Sequence, residues 1–218
     1  MGQLIVLGHA LQPGVQLLAL DGGERYTEQD KELLQFVCAQ VATAIERKQL
    51  HARLQRMAQY DQLTQLPNRE LLRDRLKASL ALAKSESGRM ALLYVDLDRF
   101  KEVNDTHGHA VGDMLLQAVA NRLKGCVRET DTVARIGGDE FVVLLHTIQA
   151  SEDADSVAGK IRHILAQPLR LDGHSLNIQL SIGVAHFPEH GTEEKQLFRH
   201  ADEAMYTAKR QHHLRLGA

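Results

Sequence analysis

The sequence predicts an α+β fold in which helices flank the faces of a central, mostly antiparallel five-stranded sheet. Three observations lead there. Short apolar runs with strand character are bounded by Gly-Gly and Asp-Gly turn signals, helical periodicities fall between them, and no apolar run approaches the ~20 residues needed to cross a bilayer. Hairpin turns make neighbouring strands antiparallel, and helices interleaved with hairpins must cover the sheet faces to bury both.

The elements follow in order. Gln3–Leu7 and Val15–Leu20 are apolar stretches separated by Pro13-Gly14 and closed by Asp21-Gly22-Gly23, the pattern of a β-hairpin. Thr27, with Asp30 three residues on, reads as the N-cap of a long helix reaching about Tyr60. Its apolar positions Leu33, Leu34, Val37, Val41, Ala44 and Ile45 resume at Leu50, Leu54 and Met57 on a shifted phase, as between two coiled-coil seams. After Pro67 come a helix over Glu70–Lys84, a strand over Met90–Asp96, and helical spacing at Met114, Leu115, Val119 and Leu123. Strands Thr132–Ile136 and Phe141–His146 flank the turn Gly137-Gly138-Asp139-Glu140, and a helix follows over Ala154–Ala166. A second hairpin turns at Asp172-Gly173 into the long strand "LNIQLSIGVAHF", and a last helix spans Glu193–Arg210.

Two strands and one helix cannot bury a core, so residues 1–47 read as the end of a domain, 48–60 as a helical stalk and 61–218 as a second domain. The net charge of −2 excludes a global basic field for nucleic acid, so a phosphate-bearing ligand needs a local site. Cys38 and Cys126, without CxxC spacing, suggest buried thiols in a reducing compartment, and the absence of a basic, apolar leader points to the cytoplasm with no membrane in this fragment.

Chemistry concentrates in two acidic segments. Asp96 and Asp98 end an apolar strand, where carboxylates are costly without a compensating charge. Asp139 and Glu140 stand in the Gly-Gly turn, whose glycines allow positive φ and close approach of a phosphate or base. If the two segments are neighbours, their carboxylates converge on one edge and suit Mg²⁺, which takes carboxylates together with substrate phosphates. His107 and His109 have an HxH spacing, but no further ligands cluster nearby for zinc.

"RIGGDEF" at Arg135–Phe141 matches the signature of the GGDEF family of diguanylate cyclases. "DLDRFKEVNDTHGHAVGD" resembles its metal and guanine segment, and "DQLTQLPNR" its opening motif, with Gln65 where Gly is usual. "SIGVAHFPEHG" and "ADEAMYTAK" resemble its later strand and last helix, so the likeness covers about residues 58 to 215. "YTEQDKELLQFVCAQVATAIERKQL" resembles the final helix of a GAF sensory domain; a bare dimerisation helix behind a hairpin is the alternative.

The resemblance implies a nucleotidyl-cyclase or palm-like domain that condenses two GTP into cyclic di-GMP with Mg²⁺ (or Mn²⁺) as a homodimer. Asp96, Asp139 and the Leu97 carbonyl would bind metal, Glu140 would support it, and Asp139 would be the candidate base. Asn104 and a buried Asp113 would read guanine beside His109, an arrangement that leaves Asp113 unpaired against adenine. Phe100, Lys101 and Lys209 would contact phosphates, and Gly137 and Gly138 would lie against the nucleotide. "RETD" at Arg128–Asp131 matches the family's inhibitory RxxD site for cyclic di-GMP; an i,i+3 ion pair is the plain alternative. One departure stands at the end: His212 and His213 occupy positions where Gly and then Arg are usual, and a mostly uncharged histidine weakens triphosphate binding. A catalytically weak cyclic di-GMP-binding signalling module is therefore the alternative function.

Overall fold

The structure, a computed structural model, describes residues 27–216; the hairpin expected over residues 3–20 lies outside them. The chain divides into two compact units, Met1–Ala52 and Arg53–Ala218.

Helix α1 (Glu28–Gln59) starts where the sequence places it. Thr27 N–H donates to Asp30 Oδ2 at 2.8 Å, and Asp30 N–H donates to Thr27 Oγ1 at 3.3 Å, a reciprocal cap. In the single chain its large apolar residues, among them Phe36, Val41, Ile45 and Leu54, are exposed. Within the second unit, Asn68 Nδ2 donates to the Ala58 carbonyl at 2.6 Å, while Asn68 Oδ1 caps α2 (Arg69–Glu86) by accepting from the N–H groups of Glu70 and Leu71.

Strands β1 (Arg89–Asp98), β2 (Thr132–Gly137), β3 (Glu140–Ile148) and β6 (Gln179–Phe187) form one sheet in the order β2-β3-β1-β6, antiparallel throughout. Side chains alternate between two cores. Leu93, Val95 and Leu97 pack with α4 (His109–Cys126) and α5 (Ser151–Leu165), whereas Met90, Leu92 and Tyr94 pack with α2 and α6 (Glu194–Leu216). Helix α3 (Phe100–His107) precedes α4, and Gly108, at φ 86°, breaks the two apart.

The α+β class and antiparallel sheet agree with the sequence, but the strand count does not. The main sheet has four strands among the described residues instead of five. The expected long strand over "LNIQLSIGVAHF" is two pieces, because β5 (His174–Leu176) pairs with β4 (Leu169–Leu171) in a separate ribbon. Leu169 and Leu176 are both buried and face each other across that pair, so the hairpin completes its own ladder without extending the sheet. At Gly183 on β6, an added Cβ would lie 1.9 Å from the Ala201 carbonyl oxygen and 2.2 Å from the Met205 nitrogen, so α6 rests directly on β6 backbone.

Candidate functional site

Alternation along β1 puts Asp96 and Asp98 on the face that α6 covers. Asp96 stands opposite Glu140 of β3 and Ser181 of β6. Lys209 Nζ lies 2.5 Å from Asp96 Oδ1, with the Asp96 side chain only 8% exposed. Burial pushes the Asp96 carboxyl above its ordinary range; Lys209 opposes that push, and the nearby Asp139 and Asp98 add to it. Burial lowers the Lys209 ammonium, but Asp96, Asp139 and Asp98 together hold it above the usual lysine value. Asp98 accepts from Ser181 Oγ at 2.9 and 3.2 Å, and His212 Nδ1 lies 3.2 Å from its Oδ2.

The Gly-Gly turn is tied to this edge. Gly138 has φ 47° and Gly137 φ 156°, with open space where a side chain would stand. Leu97 N–H donates to the Asp139 carbonyl at 3.3 Å. Arg135 fixes the turn from behind: Nε and Nη2 donate to the Gly138 carbonyl at 2.9 and 2.7 Å, and Nη1 reaches Asp61 Oδ1 at 3.0 Å and Oδ2 at 3.2 Å. Burial raises Asp61, but the Thr64 hydroxyl and N–H, with Arg135, outweigh it and hold the carboxyl below its ordinary range. Asp61 and Arg135, which hold the turn in place, stand in the sequence only as letters of "DQLTQLPNR" and "RIGGDEF". Glu140 bears on Tyr94, whose hydroxyl is pushed up by burial and then by that carboxylate.

The other expected residues gather on α3 and α4. An added Cβ at Gly112 would sit 1.9 Å from Asn104 Oδ1 and 3.3 Å from Phe100 Cζ, so both side chains pack over the bare first turn of α4, next to Asp113. Phe100 is half-buried against the core; Lys101 and His109 are exposed. Asp113 is exposed, not buried as expected, because the inward face of α4 is taken by Val111, Leu115 and Leu116. Any desolvation of Asp113 must come from the ligand.

At the far end of the β2–β3 hairpin, Asp131 accepts from Arg128 N–H at 3.1 Å and from His146 N–H at 3.3 Å. Among the described residues Arg128 and Asp131 form no ion pair with each other; both line a cleft of about 320 Å³ with Thr147, Gln149, Ser156 and Lys160. Behind it, the His146 ring meets Thr132 Oγ1 at 3.0 Å and the Ser79 hydroxyl.

No group of three His, Cys, Asp or Glu side chains among the described residues is placed to hold a metal alone. The acidic edge nevertheless fits a hard divalent ion: its donors are carboxylate and carbonyl oxygens, and it already selects a positive charge, the Lys209 ammonium. Asp96, Asp139 and the Leu97 carbonyl are the protein oxygens that would hold such an ion.

Residues 58–215 match the family described as "Diguanylate cyclase, GGDEF domain". The chain is 45% identical over 162 residues to diguanylate cyclase TpbB of Pseudomonas aeruginosa, covering 74% of this chain and 37% of that protein. It is 43% identical over 171 residues to the bifunctional diguanylate cyclase/cyclic di-GMP phosphodiesterase MucR of the same organism, covering 78% of this chain and 24% of that one. The chain thus spans between about a quarter and somewhat over a third of the length of these relatives. Among solved structures, the GGDEF domain of TpbB is similar at TM-score 0.68 and 46% identity, over 70% of this chain and 89% of that one. The coiled coil and GGDEF domain of DgcB from Caulobacter crescentus, in complex with c-di-GMP, is similar at TM-score 0.72 and 28% identity, over 82% and 95%.

Proposed function

The chain belongs to the GGDEF diguanylate cyclase domain family, and from that premise we propose that it condenses two GTP molecules into cyclic di-GMP, releasing pyrophosphate, as a metal-dependent homodimer. One observation carries the reading: the buried Asp96 stands opposite Glu140 in the ladder, Leu97 N–H joins the Asp139 carbonyl, and carboxylates from two distant segments share one edge.

Asp96, Asp139 and the Leu97 carbonyl would hold Mg²⁺ or Mn²⁺, whose charge would offset that of the triphosphate and lower the pKa of the attacking 3′-hydroxyl. Asp139 is the group positioned to accept that hydroxyl's proton, and Glu140 backs the acidic edge. Asn104 and Asp113, with His109 beside them, read guanine: the carboxylate accepts from N1–H and N2–H₂, donors that adenine does not arrange in this way. Lys209, Lys101 and the backbone beside Phe100 take phosphate oxygens, while Gly137 and Gly138 leave bare main chain against the nucleotide.

One domain binds one GTP, so two must face each other, and alignment supplies much of the acceleration. The exposed apolar seam of α1 suits a parallel stalk that raises the effective concentration of the two halves. Residues 1–47 act as the tail of a GAF-like sensory domain in the cytoplasm and pass a signal through a change of stalk register near Glu46–Gln49. Arg128 and Asp131 bind cyclic di-GMP as a product brake.

The test is incubation with GTP and Mg²⁺ followed by separation of products. Cyclic di-GMP is expected from the wild type, with a loss of about a hundredfold or more in Asp139→Ala; no product at saturating GTP and protein would overturn the reading. His212 and His213 in place of Gly and Arg favour one second reading, a cyclic di-GMP-binding module of weak turnover, which the same experiment scores by rate.

A further inference from the structure

The acidic edge already has a cation, and the chain supplies it. Lys209 and His212 lie one turn apart on α6 and face one way, towards Asp96 and Asp98 at alternate positions of β1. Lys209 takes Asp96 at 2.5 Å; His212 takes Asp98 at 3.2 Å. The Asp96 side chain is 8% exposed and that of Lys209 30%, so the carboxylate is fixed while the ammonium has a solvent side and a flexible four-carbon stem. Asp139 and Asp98 bear on both members of the pair. A divalent ion on either oxygen of the Asp96 carboxylate, at about 2.0–2.1 Å, would stand within a few ångströms of the ammonium on Oδ1, inside a half-buried site where like charges repel strongly.

We propose that Lys209 is a resident counter-cation that keeps divalent metal off Asp96 in the nucleotide-free chain, and that an arriving triphosphate admits the ion by drawing the ammonium onto its own oxygens. The inference rests on the GTP and metal reading above and adds an order to it. Ion and nucleotide enter together, and each raises the other's affinity by the same factor, because coupling between bound ligands is reciprocal. His212 is a positioning residue: by holding Asp98 it pins the end of α6 while the Lys209 stem swings.

The experiment measures Mn²⁺ binding to the whole chain without nucleotide, by the electron paramagnetic resonance signal of unbound Mn²⁺. Lys209→Met and Lys209→Gln are expected to bind Mn²⁺ about tenfold tighter than the wild type, and Lys209→Met combined with Asp96→Asn to lose that gain. Equal or weaker affinity in the folded Lys209 variants, with binding still dependent on Asp96, overturns the exclusion and leaves the cyclase reading standing. Mn²⁺ binding that ignores Asp96 in every variant overturns both. Wild-type chain gives an independent answer through acetylation of Lys209 read by peptide mass. Millimolar Mn²⁺ alone is expected to leave its reactivity unchanged, whereas unmasking of Lys209 by Mn²⁺ without nucleotide overturns the proposal.

Discussion

At the Gly137–Gly138 end of the β2–β3 hairpin, Asp96 and Asp98 are held by side chains from far along the chain, Lys209 and His212. At the other end, Asp131 is held by main-chain N–H groups of Arg128 and His146. Side-chain partners on long stems can be exchanged for a ligand; backbone donors cannot leave without breaking the hairpin. The first end thus has a cation that can be exchanged, and the second presents a fixed acceptor beside the Arg128 guanidinium, which forms no ion pair with it among the described residues. This difference suits chemistry at one end and recognition at the other.

The comparison is broken most forcefully at Arg135. Arg135→Ala removes the guanidinium from both the Gly138 carbonyl and the half-buried Asp61, and is expected to cost about 3 kcal/mol in chemical denaturation, with GTP turnover down at least about tenfold. A loss below that of any substitution at the Asp131 end would contradict the picture of a side-chain-held turn.

Asp131→Ala and Arg128→Ala sharpen it next. Asp131→Ala should cost about 1–2 kcal/mol, because two backbone N–H groups lose their acceptor. The exposed Arg128 should cost about 0.5 kcal/mol or less. Both should weaken inhibition by cyclic di-GMP at least about tenfold with basal turnover intact; inhibition that survives Arg128→Ala sinks the product brake.

The two ends also separate by pH. Burial, with Arg75 adding, holds the His146 ring below its ordinary 6.5 against the pull of Asp131. The unfolded chain therefore binds that proton first, and stability declines as pH falls from about 6.5 towards the lower folded value. Asp61 is held below 3.8, so its contribution is present above that value and is lost as pH falls through the folded one. Melting curves should show the upper decline flattened by His146→Gln and the lower by Asp61→Asn.

The smallest expected effect is a gain. Gln65 has φ 55°, a left-handed conformation that costs a residue with a Cβ, so Gln65→Gly should stabilise by about 1 kcal/mol in the same melts. A loss instead would show that the Gln65 Nε2 bond to the Gln62 carbonyl, at 2.8 Å, outweighs the strain.

What was legible in the sequence follows the range of the forces involved. The Thr27 cap, the apolar strand over Met90–Asp96 and the Gly-Gly turn are local, and each stands where the residues place it. The resemblance to the family marks which acids are expected at the site. The hidden features are long-range: Arg135 meets Asp61 across 74 positions and Lys209 meets Asp96 across 113, and no periodicity announces such a pair. The hairpin at Asp172-Gly173 stands where its turn residues place it, but the break between β5 and β6 was hidden for another reason, since a run of strand-forming residues does not say where it passes from one partner to the next. Asp113 was misjudged because a motif marks its identity, whereas its exposure depends on which face of α4 the core claims.

The bare backbone at Gly183 has one further effect. With the Ala201 carbonyl in the place a methyl group would occupy, main chain meets main chain at this point and limits how close α6 and β6 can come, whatever the packing around it. That spacing acts as a gauge block for every group α6 sends towards β1. A lysine fits the span to Asp96, and a longer, planar guanidinium at position 209 would overshoot it, however well its charge was conserved.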